Sequence, residues 1–225
     1  NLTREEIDKF SYESHQKAAK AWQEGKFNDE VVPVEVPQRK GEPILFKKDE
    51  HYRPDASLEA LAKLKPAFKK DGIVTAGNAS GVNDGAAALV LASSEFVKKN
   101  NLKVIAKIVS YATTGLDPAV MGLGPITSSR KAIEKAGWQI KDLERVEANE
   151  AFATQSLAVI KDLNLNPSIV NVNGGAVALG HPIGCSGARI LVSLLYELKH
   201  SGLHKGLATL CVGGGMGVAI CVEAE

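Results

Sequence analysis

The sequence predicts an α/β protein built around a single mixed sheet, and three observations carry that prediction. From Val104 to the C-terminus, short apolar runs alternate with amphipathic stretches at helical spacing, giving the order βαβαβαββ. The last two runs flank the turn Gly213-Gly-Gly-Met-Gly217 and read as a hairpin, so the sheet mixes parallel and antiparallel pairs. With 225 residues, 44% of them hydrophobic and 24% charged, the chain is long enough to bury a large core.

Each element follows from local signals. Thr3 and Glu6 form a capping box that opens a helix over residues 3–25, with Ile7, Phe10, His15, Ala18 and Trp22 at loose helical spacing. Residues 31–36 alternate as a strand, and Pro33 demotes it to an edge. Charged and turn residues follow, through Lys48-Asp49-Glu50-His51. A second helix is expected over 57–70, stopping at Asp71-Gly72. The small-residue loop "IVTAGNASGVNDG" then leads into a buried-type strand over 86–92. In the regular part, strand 104–111 precedes helix 126–136, which stops at Gly137, and strand 145–148 precedes helix 150–163. Strand 169–172 leads through a glycine-rich loop into helix 186–201, whose Ile190, Leu191, Leu194, Leu195 and Leu198 share one face. Strands 207–212 and 218–222 close the unit.

Composition narrows the function. A net charge of +1 makes no broad basic field, and 5% aromatics supply no stacking platform, which argues against nucleic acid and membrane surfaces as partners. No apolar run reaches membrane-spanning length. Three cysteines without C-x-x-C spacing favour a reducing, cytoplasmic setting and no metal site. The chain opens on Asn1-Leu2-Thr3, which reads as an internal position of something longer.

In such units sites form beyond the C-terminal ends of strands. Asn149 ends one strand, His181 lies in the loop after the next, and Cys211 ends the strand before the hairpin. Each has a plainer reading. Asn149 suits a helix N-cap, His181 a surface or satisfied core histidine, and Cys211 a small buried hydrophobe, as do Cys185 and Cys221. Together they combine acid/base capacity with glycine clusters whose N–H groups can face an oxyanion, which points to acyl transfer or proton abstraction beside a carbonyl. No phosphate-loop motif is present, "GGGMG" lacks dinucleotide spacing, and "GCSGA" is one residue short of a nucleophile elbow.

At these residues the chain resembles the thiolases. The resemblance rests on "TAGNASGVNDGAA" at 75–87, "NEAFA" at 149–153, "NVNGGAVALGHPIGCSGAR" at 171–189 and "GLATLCVGGGMGVAICVE" at 206–223, and it spans essentially the whole chain. It implies a thiolase-like fold with part of a CoA-binding loop domain (1–82), the last strand and helix of an N-terminal half (83–103) and a complete C-terminal half (104–225). The activity implied is Claisen condensation of two acetyl-CoA to acetoacetyl-CoA and CoA, or reverse thiolysis, with CoA thioesters as substrates and no other cofactor.

In that mechanism one cysteine carries the acyl group and a second, matching Cys211, takes the α-proton of acetyl-CoA. His181 matches the residue that activates the nucleophile and holds a thioester oxygen, and Asn149 the one that orients a water in another oxyanion hole. The glycines are expected to let thioester, thiol and imidazole crowd together. CoA-binding matches are Ser80 and Gly81 by the pantetheine arm, Arg53 near the adenine, Leu64, Ala76 and Phe152 as apolar lining, and Met121 at the acyl pocket. Ordinary surface and helix packing is the plainer reading of Arg53 and Leu64, and Ala60 stands where a serine contact is sometimes found. No residue here matches the acylated cysteine, so the chain alone is expected to be inactive and to need the missing N-terminal thiolase half. A homodimer or homotetramer in lipid metabolism is also implied. The alternative is a non-catalytic acyl-CoA-binding or assembly fragment.

Overall fold

A computed structural model describes residues 2–225. The first helix, α1, runs Arg4–Gln23, and its capping box is complete: the Thr3 hydroxyl accepts from Glu6 N–H while the Glu6 carboxylate accepts from Thr3 N–H. Its buried face carries Ile7, Ala18 and Ala21. Strands β1 (Val34–Val36) and β2 (Ile44–Phe46) pair as an exposed antiparallel hairpin. The second strand went unforeseen, because its apolar triplet is embedded among charged and turn residues.

Two expected elements shrink. Helix α2 covers only Leu58–Ala62 rather than 57–70. Pro66 lacks the N–H a helix needs and disfavours helical geometry at Lys65, and its backbone forms an antiparallel bridge to Thr75 instead. The strand expected over 86–92 forms no ladder in this chain. Val90 is 97% and Leu91 73% exposed, and only Leu89 of the run packs against the core of α7, β5 and β6, so the segment stays unpaired. Helix α3 (Ser94–Asn100) follows.

The core unit has β3 (Ala106–Gly115), α4 (Gly124–Ala136), β4 (Arg145–Ala148), α5 (Ala153–Asp162), the short α6 (Ala176–Leu179), α7 (Ser186–Ser201), β5 (Lys205–Val212) and β6 (Met216–Ala224). The sheet order is β3-β6-β5-β4, with β4 parallel to β5 and the other pairs antiparallel. The strand expected over 169–172 is reduced to one parallel bridge, Val146 to Val170. A 3-10 turn at Pro167–Ile169 precedes it, and Asn171 at φ 44° turns the chain away after it.

Alternation along the strands serves two cores. Leu207, Ala219 and Cys221 face Ile126, Ile133 and Val159 of α4 and α5, whereas Ala208 and Val222 face Ile190, Leu194 and Leu198 of α7. Helices therefore cover both faces of the sheet, and the strand ends stay open for a site.

Candidate active site

Asn149 follows β4, and its N–H donates to Thr209 O at 2.9 Å, extending the parallel ladder by one residue. Cys211 lies two residues beyond Thr209 on the adjacent strand and pairs in register with Gly217. The two candidates thus share one end of two neighbouring strands. Asn149 caps no helix, because α5 begins only at Ala153. Its side chain is buried, and neither amide atom has a hydrogen-bond partner. A buried amide with both functions unsatisfied is costly, and such a group marks a place prepared for something else. Cys211 is half-buried, and burial pushes its thiol above the usual range.

His181 is held from several sides. Its N–H is shared by Gly81 O at 3.1 Å and Asn83 Oδ1 at 3.3 Å, and its Nδ1 lies 2.6 Å from Ser186 Oγ. Burial first, and the Arg189 guanidinium second, lower its pKa, so the ring is neutral at physiological pH.

One segment ties the loops together. Ala79 bridges Phe152 antiparallel, and Val82 bridges His181 parallel. Between them Ser80 N–H and Oγ–H both donate to Ala151 O, at 3.1 and 2.9 Å. Residues 79–82 therefore join the loop after β4 to the histidine loop. On the other side, Leu116 N–H donates to Gly215 O at 2.8 Å, which sets the stretch carrying Met121 beside the turn after Cys211. Among the described residues no hydrogen bond joins the Cys211 thiol to His181 or Asn149; Asn149 and Cys211 share a strand end, and His181 is tied to the loop after β4 through residues 79–82.

Residues 102–224 match the family model described as thiolase, C-terminal domain. The chain belongs to the thiolase family. Residues 1–95 match the thiolase N-terminal domain. The acetyl-CoA acetyltransferase of Chromobacterium violaceum is 60% identical over 222 residues, covering 99% of this chain and 57% of that protein. The Rhizobium meliloti acetyl-CoA acetyltransferase is 59% identical over 222 residues, covering 99% and 56%. The crystal structure of the Bacillus anthracis acetyl-CoA acetyltransferase superposes with TM-score 0.98 at 54% identity, covering all of this chain and 57% of that one. Human mitochondrial 3-ketoacyl-CoA thiolase in complex with CoA superposes with TM-score 0.92 at 45% identity, covering 100% and 55%. The chain thus spans 56–57% of the length of these curated relatives.

Within this thiolase fold the remaining sequence candidates fall into two groups. Ser80, Gly81 and Phe152 lie along or across from the bridging segment, Ala76 precedes it in the chain, and Leu64 packs against Gly77, next to Ala76. Phe152 meets Phe68 edge-on, with ring centroids 6.1 Å apart. Arg53 stands apart on an exposed loop, where its N–H donates to His15 Nδ1 at 3.1 Å.

Two of the loop's glycines are required by the chain's own packing. A Cβ on Gly174 would strike Ala18 and Ser14 of α1, and one on Gly175 would strike the Glu150 carboxylate. Close approach is needed by the chain's own packing at these two positions.

Three contributors escaped the sequence. Glu150 is buried and accepts from Ser14 Oγ–H at 2.7 Å, Asn171 Nδ2 at 2.9 Å and Val177 N–H at 3.1 Å, fastening the residue after Asn149 to α1 and the glycine loop. His51 donates from Nδ1 to Ala178 O at 2.9 Å, and its Nε2 edge abuts Gly81. Arg189 enters the interior beside Glu147 at 3.7 Å. "NEAFA" already contained Glu150, but only its partners in space reveal what it does. Among the described residues no three His, Cys, Asp or Glu side chains are grouped to hold a metal ion, and no helix is long and apolar enough to cross a membrane.

Proposed function

We propose that this chain supplies the acid/base part of an acetyl-CoA C-acetyltransferase, which condenses two acetyl-CoA to acetoacetyl-CoA and CoA or runs the thiolysis in reverse. The acyl nucleophile is a cysteine outside these residues. Cys211 takes the α-proton of acetyl-CoA, the resulting carbanion attacks the acyl-enzyme thioester, and the nucleophile leaves as thiolate. In thiolysis the burial-raised thiol of Cys211 is already in its proton-donating form. Neutral His181 activates the nucleophile and faces a thioester oxygen. Asn149 orients a water at the other thioester oxygen.

The observation that carries this reading is the unsatisfied, buried Asn149 amide beside the strand end that bears Cys211. A fragment that merely bound CoA would have no use for it. Ser80, Gly81, Leu64, Ala76 and Phe152 take the pantetheine arm, Arg53 the nucleotide end, and Met121 shapes the acyl pocket. A homodimer or homotetramer acting in the cytoplasm belongs to the same proposal.

The test uses the protein joined to its nucleophile-bearing part. Cys211→Ala is expected to abolish condensation while acyl-enzyme still forms from labelled acetyl-CoA, and equal loss of both half-reactions would contradict the role of Cys211. Purified 225-residue chain is expected to leave acetoacetyl-CoA untouched. Turnover by that chain alone would place the nucleophile within it.

A further inference from the structure

We propose that Ser186 is the positioning residue of His181, fixing the imidazole as its Nδ1–H tautomer so that Nε2 carries the free lone pair. The inference deepens the preceding reading, in which His181 activates the nucleophile, and rests on it for its catalytic consequence alone.

The geometry assigns the protons. Ser186 Oγ lies 2.6 Å from His181 Nδ1 and 3.1 Å from Pro182 O. A carbonyl only accepts, so with its proton on Pro182 O the serine hydroxyl turns a lone pair toward the ring. Nδ1 must then donate. A neutral imidazole has one N–H, which leaves Nε2 unprotonated and able to take a proton from a thiol. Ser186 has no exposed surface, so no water competes for Nδ1 from the serine side.

The pair is also firmly mounted. Ser186 opens α7, whose first turn closes on Pro182 O through Cys185 N–H at 2.8 Å and Ser186 N–H at 2.9 Å. That helix is anchored further along by Ile190, Leu194 and Leu198, each at most 1% exposed. His181 is held independently by its backbone N–H on Gly81 and Asn83. Ring and hydroxyl are therefore placed by separate parts of the fold, and their meeting is not an accident of one flexible loop. The partial positive charge at the start of α7 also opposes an imidazolium, which keeps the ring neutral and makes its tautomer the property that matters.

The tautomer is read directly from long-range proton–nitrogen correlation spectra of the chain with labelled histidine, His181 being assigned from the signals lost in His181→Gln. The expected wild-type pattern is a pyrrole-type Nδ1 and a pyridine-type Nε2. Ser186→Ala is expected to move the population to Nε2–H, and Ser186→Thr to restore the wild-type pattern. In the enzyme joined to its nucleophile-bearing part, Ser186→Ala should lower kcat by about 10²-fold, the worth of one placed acid/base group, with KM nearly unchanged. A wild-type ring protonated on Nε2, or a tautomer indifferent to Ser186→Ala, would overturn the proposal, and the first of these needs no variant to fold. If the tautomer behaves as expected but His181→Gln leaves catalysis intact, the Ser186 pairing stands and the catalytic reading of His181 fails.

Discussion

Arg189 carries a guanidinium into the interior and leaves all three nitrogens without a hydrogen bond. The carboxyl beside it is that of Glu147, at 3.7 Å. Burial pushes the Glu147 carboxyl up to about 8 and Glu30 up to about 7, and in each case Arg189 pulls the other way without winning. Below neutrality both acids are therefore mostly protonated, and the guanidinium meets uncharged neighbours. Above pH 8 Glu147 is ionised and depends on Arg189 for compensation. Arg189→Met is accordingly expected to lose more stability at pH 9 than at pH 6 in urea unfolding, because a buried carboxylate left without its cation costs about 3–5 kcal/mol. Equal losses at the two pH values would mean that Glu147 is ionised throughout. The same substitution removes one of the two causes that lower the His181 pKa, so the imidazole should titrate closer to its ordinary range.

Elements with strong local signals were legible, and those that depend on distant partners were not. The helix Ser186–Ser201 and the strand Arg145–Ala148 end where apolar spacing and turn residues place them. The capping box of α1 was visible in four residues. By contrast, β2 exists only through pairing with β1, and the run at 86–92 lacks a neighbouring strand to make it one. The site divides in the same way. Strand-end placement pointed to Asn149 and Cys211, whereas Glu150 acquires its role from Ser14, 136 positions away. Close approach of elements is equally hidden from sequence. The β6 residue Gly217 lies against the backbone of Gly124, where α4 begins, and a Cβ there would strike Gly124 O. A backbone carbonyl at the start of a packed helix has little room to retreat, so Gly217→Ala should lower unfolding free energy by about 1–3 kcal/mol. Because Gly217 pairs with Cys211, acylated protein bearing the substitution should also condense more slowly. Unchanged stability would show that α4 yields easily at its first turn.

Titration of the buried acids governs how the assembled chain answers to pH. For Glu147 the carboxyl rises from an ordinary 4.5 to about 8 on folding, so the native state holds a proton that the unfolded state has released. Its stabilising effect is complete below pH 4.5 and is lost as pH climbs through 8. Glu30, raised to about 7, acts with the same sign over a shorter span. His15 acts oppositely: burial lowers it from 6.5 to about 4, so its contribution is present above pH 6.5 and lost as pH falls toward 4. Well above pH 6.5 His15 is neutral in both states, and the two buried acids still respond. The thermal midpoint should therefore fall by about 5–10 °C between pH 6.5 and 8.5, since each unit of linkage is worth about 1.4 kcal/mol and each kcal/mol shifts a domain of this size by about 2–4 °C. Glu147→Gln keeps the neutral shape and removes the titration, so most of that fall should vanish in scanning calorimetry. A midpoint that rises with pH over this range, or a slope untouched by Glu147→Gln, would mean that the carboxylate beside Arg189 is already charged at neutrality and that burial does not prevail over the guanidinium there.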